Sequence, residues 1–212
     1  MLSNIILVRK LGLLNWEITS DAMHLFTNQR NEYSNDELWL VEHPPIFTQG
    51  KSCKKNNLFM LNNIPIVHSD RGGQTTYHGP GQQIMYVLID IKRRKLNVSK
   101  LVLLLEKTVI TTLQYYGINS YSYPEAPGVY VNKKKICSLG LRIQKGCSLH
   151  GLAVNVAMDL NPFLSINPCG YVGMQMTQLS EFKPEITVKE VGFKLADVFA
   201  RLAGYEKITY LT

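Results

Sequence analysis

The sequence predicts an α+β fold, a single domain over residues 1–212 in which a mixed sheet packs against helices. Three observations carry that expectation. Apolar runs of strand length recur between turn residues, and two stretches combine helical periodicity with their own start and stop signals. The strands also come in runs instead of alternating strictly with helices. With 45% hydrophobic and 18% charged residues among 212, the chain can bury a sizeable core.

Residues 4–11 (NIILVRKL) predict a first strand. Its basic residues follow the apolar run, the reverse of a signal peptide, and no apolar run reaches the roughly 18 residues of a membrane span. A cytoplasmic protein with no membrane partner is the expectation. Trp16 to Gln29 predicts a helix with Trp16, Ala22, Met23, Leu25 and Phe26 on one face. ELWLVEHP (37–44) alternates like a strand and stops at Pro44-Pro45. IPIVHSD (64–70) predicts a short strand that leads into RGGQTTYHGPGQQ (71–83), and QQIMYVLIDI (82–91) a strand buried on both faces. Residues 97–117 predict the clearest helix, capped by Asn97 or Ser99 and ended by Gly117. A meander follows over 128–159, with turns at Asn132-Lys133 and Lys145-Gly146. The last helix runs from Val188 to Ala203, opened by a capping box of Thr187 and Glu190.

Three stretches carry polar chemistry. RGGQTTYHGPGQQ lacks the Lys-Ser/Thr pair of a phosphate-binding loop, but its glycines let a ligand approach the backbone. Gly79-Pro80-Gly81 sets a turn, His78 can donate, accept or titrate, and Arg71 can anchor a charge. The plain alternative is a tight structural turn. In KKKICSLGLR (133–142) the lysines suit a solvated turn, yet strand alternation turns at least one inward, and Lys135 beside Ile136 is best placed. In INPCGYVGMQMT (166–177), Cys169 sits between Pro168 and Gly170, a setting suited to an exposed nucleophile. A free thiol of pKa about 8.5 is only about 3% thiolate at pH 7. Lowering it by about 1.5 units makes roughly half of it reactive and needs about 2 kcal/mol, which a neighbouring ammonium can supply.

The four cysteines form no C-x-x-C pair, so neither a zinc site nor a disulfide scaffold is expected, and no metal is assigned. A net charge of +7 admits nucleic acid, a membrane surface or acidic proteins as partners. The lysines are scattered over loops, and no basic helix with interleaved aromatics occurs, which argues against nucleic acid.

Together the three stretches resemble the lipoyl(octanoyl) transferase family. The match runs from Trp39 to Met176, through RGGQTTYHGPGQ, then KKICSLGLRIQKGCSLHGLAVNV and PFLSINPCGYVGM in the family's order. The first 35 and last 30 residues add little to it. The resemblance implies the α+β fold of biotin- and lipoate-protein ligases. It implies an enzyme that moves an octanoyl group from octanoyl-acyl carrier protein to a lysine of apo lipoyl domains. Those acceptors are the 2-oxoacid dehydrogenases and the glycine cleavage H protein. It places the acyl-accepting cysteine at Cys169 and the activating lysine at Lys135. It places the acyl pocket at Arg71, Gly72, Gly73, Gln74, Thr75, Thr76, Tyr77 and His78, at Ser138, Leu139 and Gly140, and at Gly151, Leu152 and Ala153. No cofactor is implied, since thioester-to-amide transfer is downhill without ATP, and a monomer is expected. Basic loop residues such as Lys51, Lys54, Lys55, Lys92 and Lys145 suit acidic carrier domains. An ATP-dependent lipoate or biotin ligase and a non-catalytic acyl-carrier-binding module remain the alternatives.

Overall fold

Side-chain alternation builds the main sheet. In strand β2 (Asp36–Glu42), Leu38 and Leu40 enter one core while Trp39 and Val41 enter another on the opposite face. Strand β6 (Gln82–Leu88) repeats the pattern, with Met85 and Val87 on one side and Ile84, Tyr86 and Leu88 on the other. Both strands are therefore central, and each is covered on two faces. The structure, a computed structural model, describes residues 4–53, 63–166 and 173–211. Cys169, Lys54 and Lys55 lie outside the described residues.

Strand β1 (Ile5–Leu13) pairs in parallel with β2, and helix α1 (Trp16–Gln29) makes the crossover between them. Two further strands, β3 (Ile46–Gln49) and β4 (Ile66–His68), join β5 (Thr75–His78) in a small sheet of order β4-β3-β5. After β6 and helix α2 (Val98–Tyr115) come β7 (Tyr121–Tyr123), β8 (Ala126–Val131), β9 (Lys134–Gln144) and β10 (Cys147–Asn155). Two short 3-10 turns (Asn161–Ser165 and Leu179–Glu181) precede helix α3 (Val188–Leu202) and β11 (Lys207–Leu211), the last elements among the described residues. The main sheet has eight strands in the order β11-β1-β2-β6-β10-β9-β8-β7, parallel around β1 and antiparallel beyond β2.

Helices α2 and α3 cover one face of this sheet. Leu101, Leu105, Val109 and Leu113 recur every fourth residue along α2 and are fully or almost fully buried, each worth roughly 2 kcal/mol of apolar burial. Asn97 caps α2 by accepting from the Lys100 N–H, and α3 carries the expected capping box of Thr187 and Glu190. The opposite face is covered by α1 and the small sheet, and the space between them becomes the site.

The meander, both of its turns, and the starts of all three helices among the described residues follow the sequence expectation. Asn132-Lys133 and Lys145-Gly146 all take positive φ, the backbone a two-residue hairpin demands. The helical face of α1 differs. Trp16, Thr19, Ser20, Met23 and Thr27 are buried, whereas Ala22 and Leu25 are exposed. Nine residues at ~100° each set Leu25 opposite Trp16, so the small polar residues occupy the inner face instead. Strands β3, β5, β7 and β11 were not anticipated, and the strand at 64–70 shrinks to Ile66–His68.

Candidate active site

Strands β5, β6, β9 and β10 enclose a cavity against α1. Its walls include Arg71, Gly73, Gln74, Thr75, Thr76 and His78 from the glycine-rich stretch and Ser138, Leu139 and Gly140 from β9. Gly151, Leu152 and Ala153 line it from β10. Three segments far apart in sequence meet because Gly140 and Gly151 are cross-strand partners, as are Leu139 and Leu152, and Ser138 and Ala153. At Gly151 a Cβ would lie 2.2 Å from the Met85 carbonyl oxygen, so only glycine lets β10 close on β6.

Gly72 and Tyr77 are not among the lining residues. The Gly72 N–H donates to the Leu141 carbonyl at 2.9 Å and ties the loop to β9. Tyr77 points the other way, as strand alternation requires between Thr76 and His78, and its ring packs on Phe47 and Phe163. Four lining residues were missed from sequence: Trp16, Ile84, Tyr86 and His150. The period of β6 singles out Ile84 and Tyr86 together. His150 stands beside Gly151 in the stretch that carried the resemblance.

The polar groups of this wall are mutually satisfied. Arg71 Nη2 donates to the Thr48 carbonyl (2.6 Å) and hydroxyl (2.8 Å), so this buried guanidinium braces the loop against β3. His78 Nδ1 donates to Gln82 Oε1 at 2.7 Å, and its Nε2 accepts from Thr48 Oγ1 at 3.3 Å. Burial, with His43 and Arg71 nearby, pushes the His78 pKa down to about 3, so its imidazole is neutral and does not shuttle protons near pH 7. His43 donates from Nδ1 to the Leu14 carbonyl and accepts from the Tyr86 hydroxyl at 2.7 Å. Burial lowers the His43 pKa too.

At the outer wall, His150 takes a positive φ of 62° and donates from Nε2 to Asp70 Oδ1 at 2.6 Å. That hydrogen bond, above all, holds the Asp70 carboxyl at about 2. His24, Asp70 and His150 bring three ligand-type atoms within 4.8 Å of one another. Arg142 Nε also stands 3.8 Å from Asp70 and gives the carboxylate a cationic neighbour, so the group forms an ion-pair cluster.

Lys135 is the second feature. It lies opposite Tyr130 of β8 and is 0% exposed, a rare state for a lysine. Its Nζ donates to the Pro127 carbonyl at 3.0 Å and sits 5.5 Å from the Tyr130 ring centroid. Gly128 makes the space: its φ is +143°, and a Cβ there would lie 2.5 Å from Lys135 Cε and 3.0 Å from Nζ. Glu106 of α2 accepts the Gly128 N–H at 3.0 Å from beneath. The Lys135 backbone also binds the chain where the described residues resume. Its N–H donates to the Gln175 carbonyl (2.8 Å), and its carbonyl accepts from Thr177 (3.0 Å).

Asn155 joins the two features. It accepts from Gln82 Nε2 at 3.0 Å and donates to the Thr177 carbonyl at 3.0 Å. A continuous hydrogen-bonded path thus runs from His78 through Gln82, Asn155 and Thr177 to the Lys135 backbone. Cys137 lies near Lys135 in the sheet, but burial outweighs the attraction of that lysine and pushes its thiol up to about 12. Burial raises Cys147 likewise.

Known proteins share this architecture and this sequence. The model of the lipoyl protein ligase A/B catalytic domain matches residues 15–200. An octanoyltransferase of Photorhabdus laumondii is 58% identical over 201 residues, covering 95% of this chain and 94% of that protein. Among solved structures, lipoate-protein ligase A bound with ATP superposes with a TM-score of 0.78 at 15% identity, over 100% of this chain and 90% of that one. Biotin protein ligase from Aquifex aeolicus in complex with biotin and ATP gives 0.58 at 16% identity, over 95% and 70%. The two structural likenesses speak to the fold alone. The family model and the full-length identity go further: the chain belongs to the lipoyl protein ligase A/B catalytic-domain family, and within it to the octanoyltransferases.

Proposed function

We propose that the protein transfers an octanoyl group from octanoyl-acyl carrier protein, through a thioester on Cys169, to a lysine amine of apo lipoyl domains. The observation that carries this reading is the wholly buried Lys135, whose backbone clamps the segment just downstream of Cys169 and whose network continues into the cavity wall. A buried amine costs folding energy, and groups held in such surroundings cluster at functional sites. As an ammonium, Lys135 favours the Cys169 thiolate.

The thiolate attacks the donor's carbonyl carbon, a new C–S bond forms, the bond from that carbon to the carrier's sulfur breaks, and the leaving sulfur takes a proton from Lys135. The acceptor amine then attacks the enzyme thioester. An amide C–N bond forms, the bond from the acyl carbon to Cys169 Sγ breaks, and the amine's proton returns to the now neutral Lys135, which restores the ammonium and the thiolate. Splitting the transfer lets one carrier leave before the other docks. Residues 71–78, 138–140 and 151–153 hold the acyl chain, with His78 as a neutral wall group. In this reading the enzyme acts as a cytoplasmic monomer. Its acceptors are the lipoyl domains of 2-oxoacid dehydrogenases and the glycine cleavage H protein.

An ATP-dependent ligase is the second reading, favoured by the fold it shares with lipoate-protein ligase A. Intact mass after incubation with octanoyl-carrier protein, without ATP, separates the two. An octanoyl adduct that disappears in Cys169→Ser is expected. No adduct, with acyl transfer that depends on ATP, would overturn the transferase.

A further inference from the structure

The cavity has an end as well as walls. Alternation along β6 and β10 stacks the residues of one sheet face in rungs about 7 Å apart. Gln82 and Asn155 form one rung, Ile84 and Ala153 the next, and Tyr86 and Gly151 the one after. Strand β9 adds Ser138 beside Ala153 and Gly140 beside Gly151. The Gln82–Asn155 rung belongs to the hydrogen-bonded path that ends on the Lys135 backbone. The other two rungs line the cavity. Past Tyr86 the same face continues with Leu88 and, on β10, Leu149. Neither lines the cavity; both are 0% exposed and pack in one core cluster with Met23 of α1, itself 0% exposed. From the Lys135 side, then, the cavity spans two rungs and stops against dry core.

The side chains at that end are held in place. The Tyr86 hydroxyl donates to His43 Nε2 at 2.7 Å, and the Trp16 indole approaches the same hydroxyl. The His150 ring stands edge-on to Tyr86, with centroids 6.1 Å apart. If Tyr86 swung aside, the buried His43 would lose its partner, and the leucines behind it leave no space to enter. This end wall is stiff.

We propose that Tyr86, backed by Leu88, Leu149 and Met23, is the stop that limits the transferred chain to eight carbons, with the methyl end against Tyr86 and Trp16 and the carbonyl toward Lys135. The inference rests on the transfer reading above and adds an orientation and a length limit to it. An octanoyl chain spans about 9 Å from carbonyl to methyl, against about 7 Å between the two lining rungs. Two more methylenes add about 2.5 Å and carry the methyl end past Tyr86, into space that Leu88 and Leu149 fill. A shorter chain leaves apolar wall uncovered and loses about fourfold in affinity per missing methylene.

The test measures thiol release from acyl-carrier-protein donors of six, eight, ten and twelve carbons. The wild-type protein should take octanoyl best, with decanoyl at least about tenfold lower in kcat/KM. Leu149→Ala opens space behind Tyr86 and should raise the decanoyl-to-octanoyl ratio about tenfold. The milder Leu149→Val should raise it about fourfold, which keeps the test open if the alanine variant does not fold. Leu113→Ala makes a comparable cavity in the core on the opposite face of the sheet and should leave the ratio unchanged. A ratio that stays put in both Leu149 variants while octanoyl transfer persists would overturn the stop. So would an equal rise in Leu113→Ala, because a softened fold would then explain it, or a wild-type protein that takes dodecanoyl as well as octanoyl. No thiol release from any donor by the wild-type protein would instead sink the transfer reading, and the stop with it.

Discussion

Acid should weaken this fold through His78 well before the carboxylates titrate. The folded imidazole has its pKa pushed down to about 3 from an ordinary 6.5, chiefly by burial. The unfolded chain therefore binds the extra proton between those two values. Stability from this group is complete above pH 6.5 and drains away as pH falls toward 3. At pH 5 the unfolded imidazole is about 30:1 protonated while the folded one stays neutral, so RT ln 30 gives about 2 kcal/mol lost. Asp70, held at about 2 from an ordinary 3.8, still contributes its full stabilisation at that pH and loses it only on further acidification. His43 and His150 are lowered too, with the same sign, so a comparison must isolate His78. His78→Asn keeps a donor toward Gln82 and removes the titration. Urea unfolding at pH 7.5 and pH 5, followed by tryptophan fluorescence, should cost the wild-type protein about 2 kcal/mol more than the variant. Parallel losses, or an imidazole resonance of His78 that titrates near 6.5, would refute the assignment of a neutral, buried wall group.

Four further outcomes follow from the same site and fold. Lys135→Met keeps the volume and removes the buried amine. Its thermal midpoint should hold or rise, while alkylation of Cys169 at pH 7 slows by about tenfold. Gly128→Ala should cost about 2 kcal/mol in chemical unfolding and abolish transfer, because its Cβ strikes Lys135 Cε. Gly12→Ala, also at positive φ but with nothing within 4 Å, should cost only about 1 kcal/mol and leave transfer intact. Iodoacetamide at pH 7.5 should modify Cys169 in peptide maps well before Cys137, whose thiol lies near 12.

Local signals explain how far the sequence could be read. The capping box of Thr187 and Glu190 and the Asn132-Lys133 turn are encoded within a few residues, and they stand where expected. The inward turn of Lys135 was legible from alternation. Strand β11 was not, because its pairing with β1 joins residues about 200 apart and owes nothing to its neighbours. The face of α1 failed for a related reason: which side of the helix is buried depends on what packs beneath it, and small polar residues fit there better than Leu25. At the site, the glycines marked the cavity, but sequence could not tell Thr76 from Tyr77. One step of strand alternation separates a cavity wall from the Phe47–Phe163 core.

Fold alone does not select the chemistry here, since chains at 15% and 16% identity share it and were solved with ATP. What the fold does provide is registration. Asn155 is almost fully buried and uses one side-chain amide to hold Gln82, which holds the cavity's His78, and Thr177, which holds Lys135. Each link is a hydrogen bond in a dry interior, where a lost partner costs about 1 to 3 kcal/mol, so the links resist moving separately. The wall that would grip an acyl chain and the amine that would act on its carbonyl end are therefore one rigid unit. A reaction that depends on bringing a thioester carbon within attack distance gains most from that arrangement, because a small misplacement is costly in rate. In this chain the glycine-rich stretch would supply the grip, and Asn155 carries its position across the sheet to Lys135.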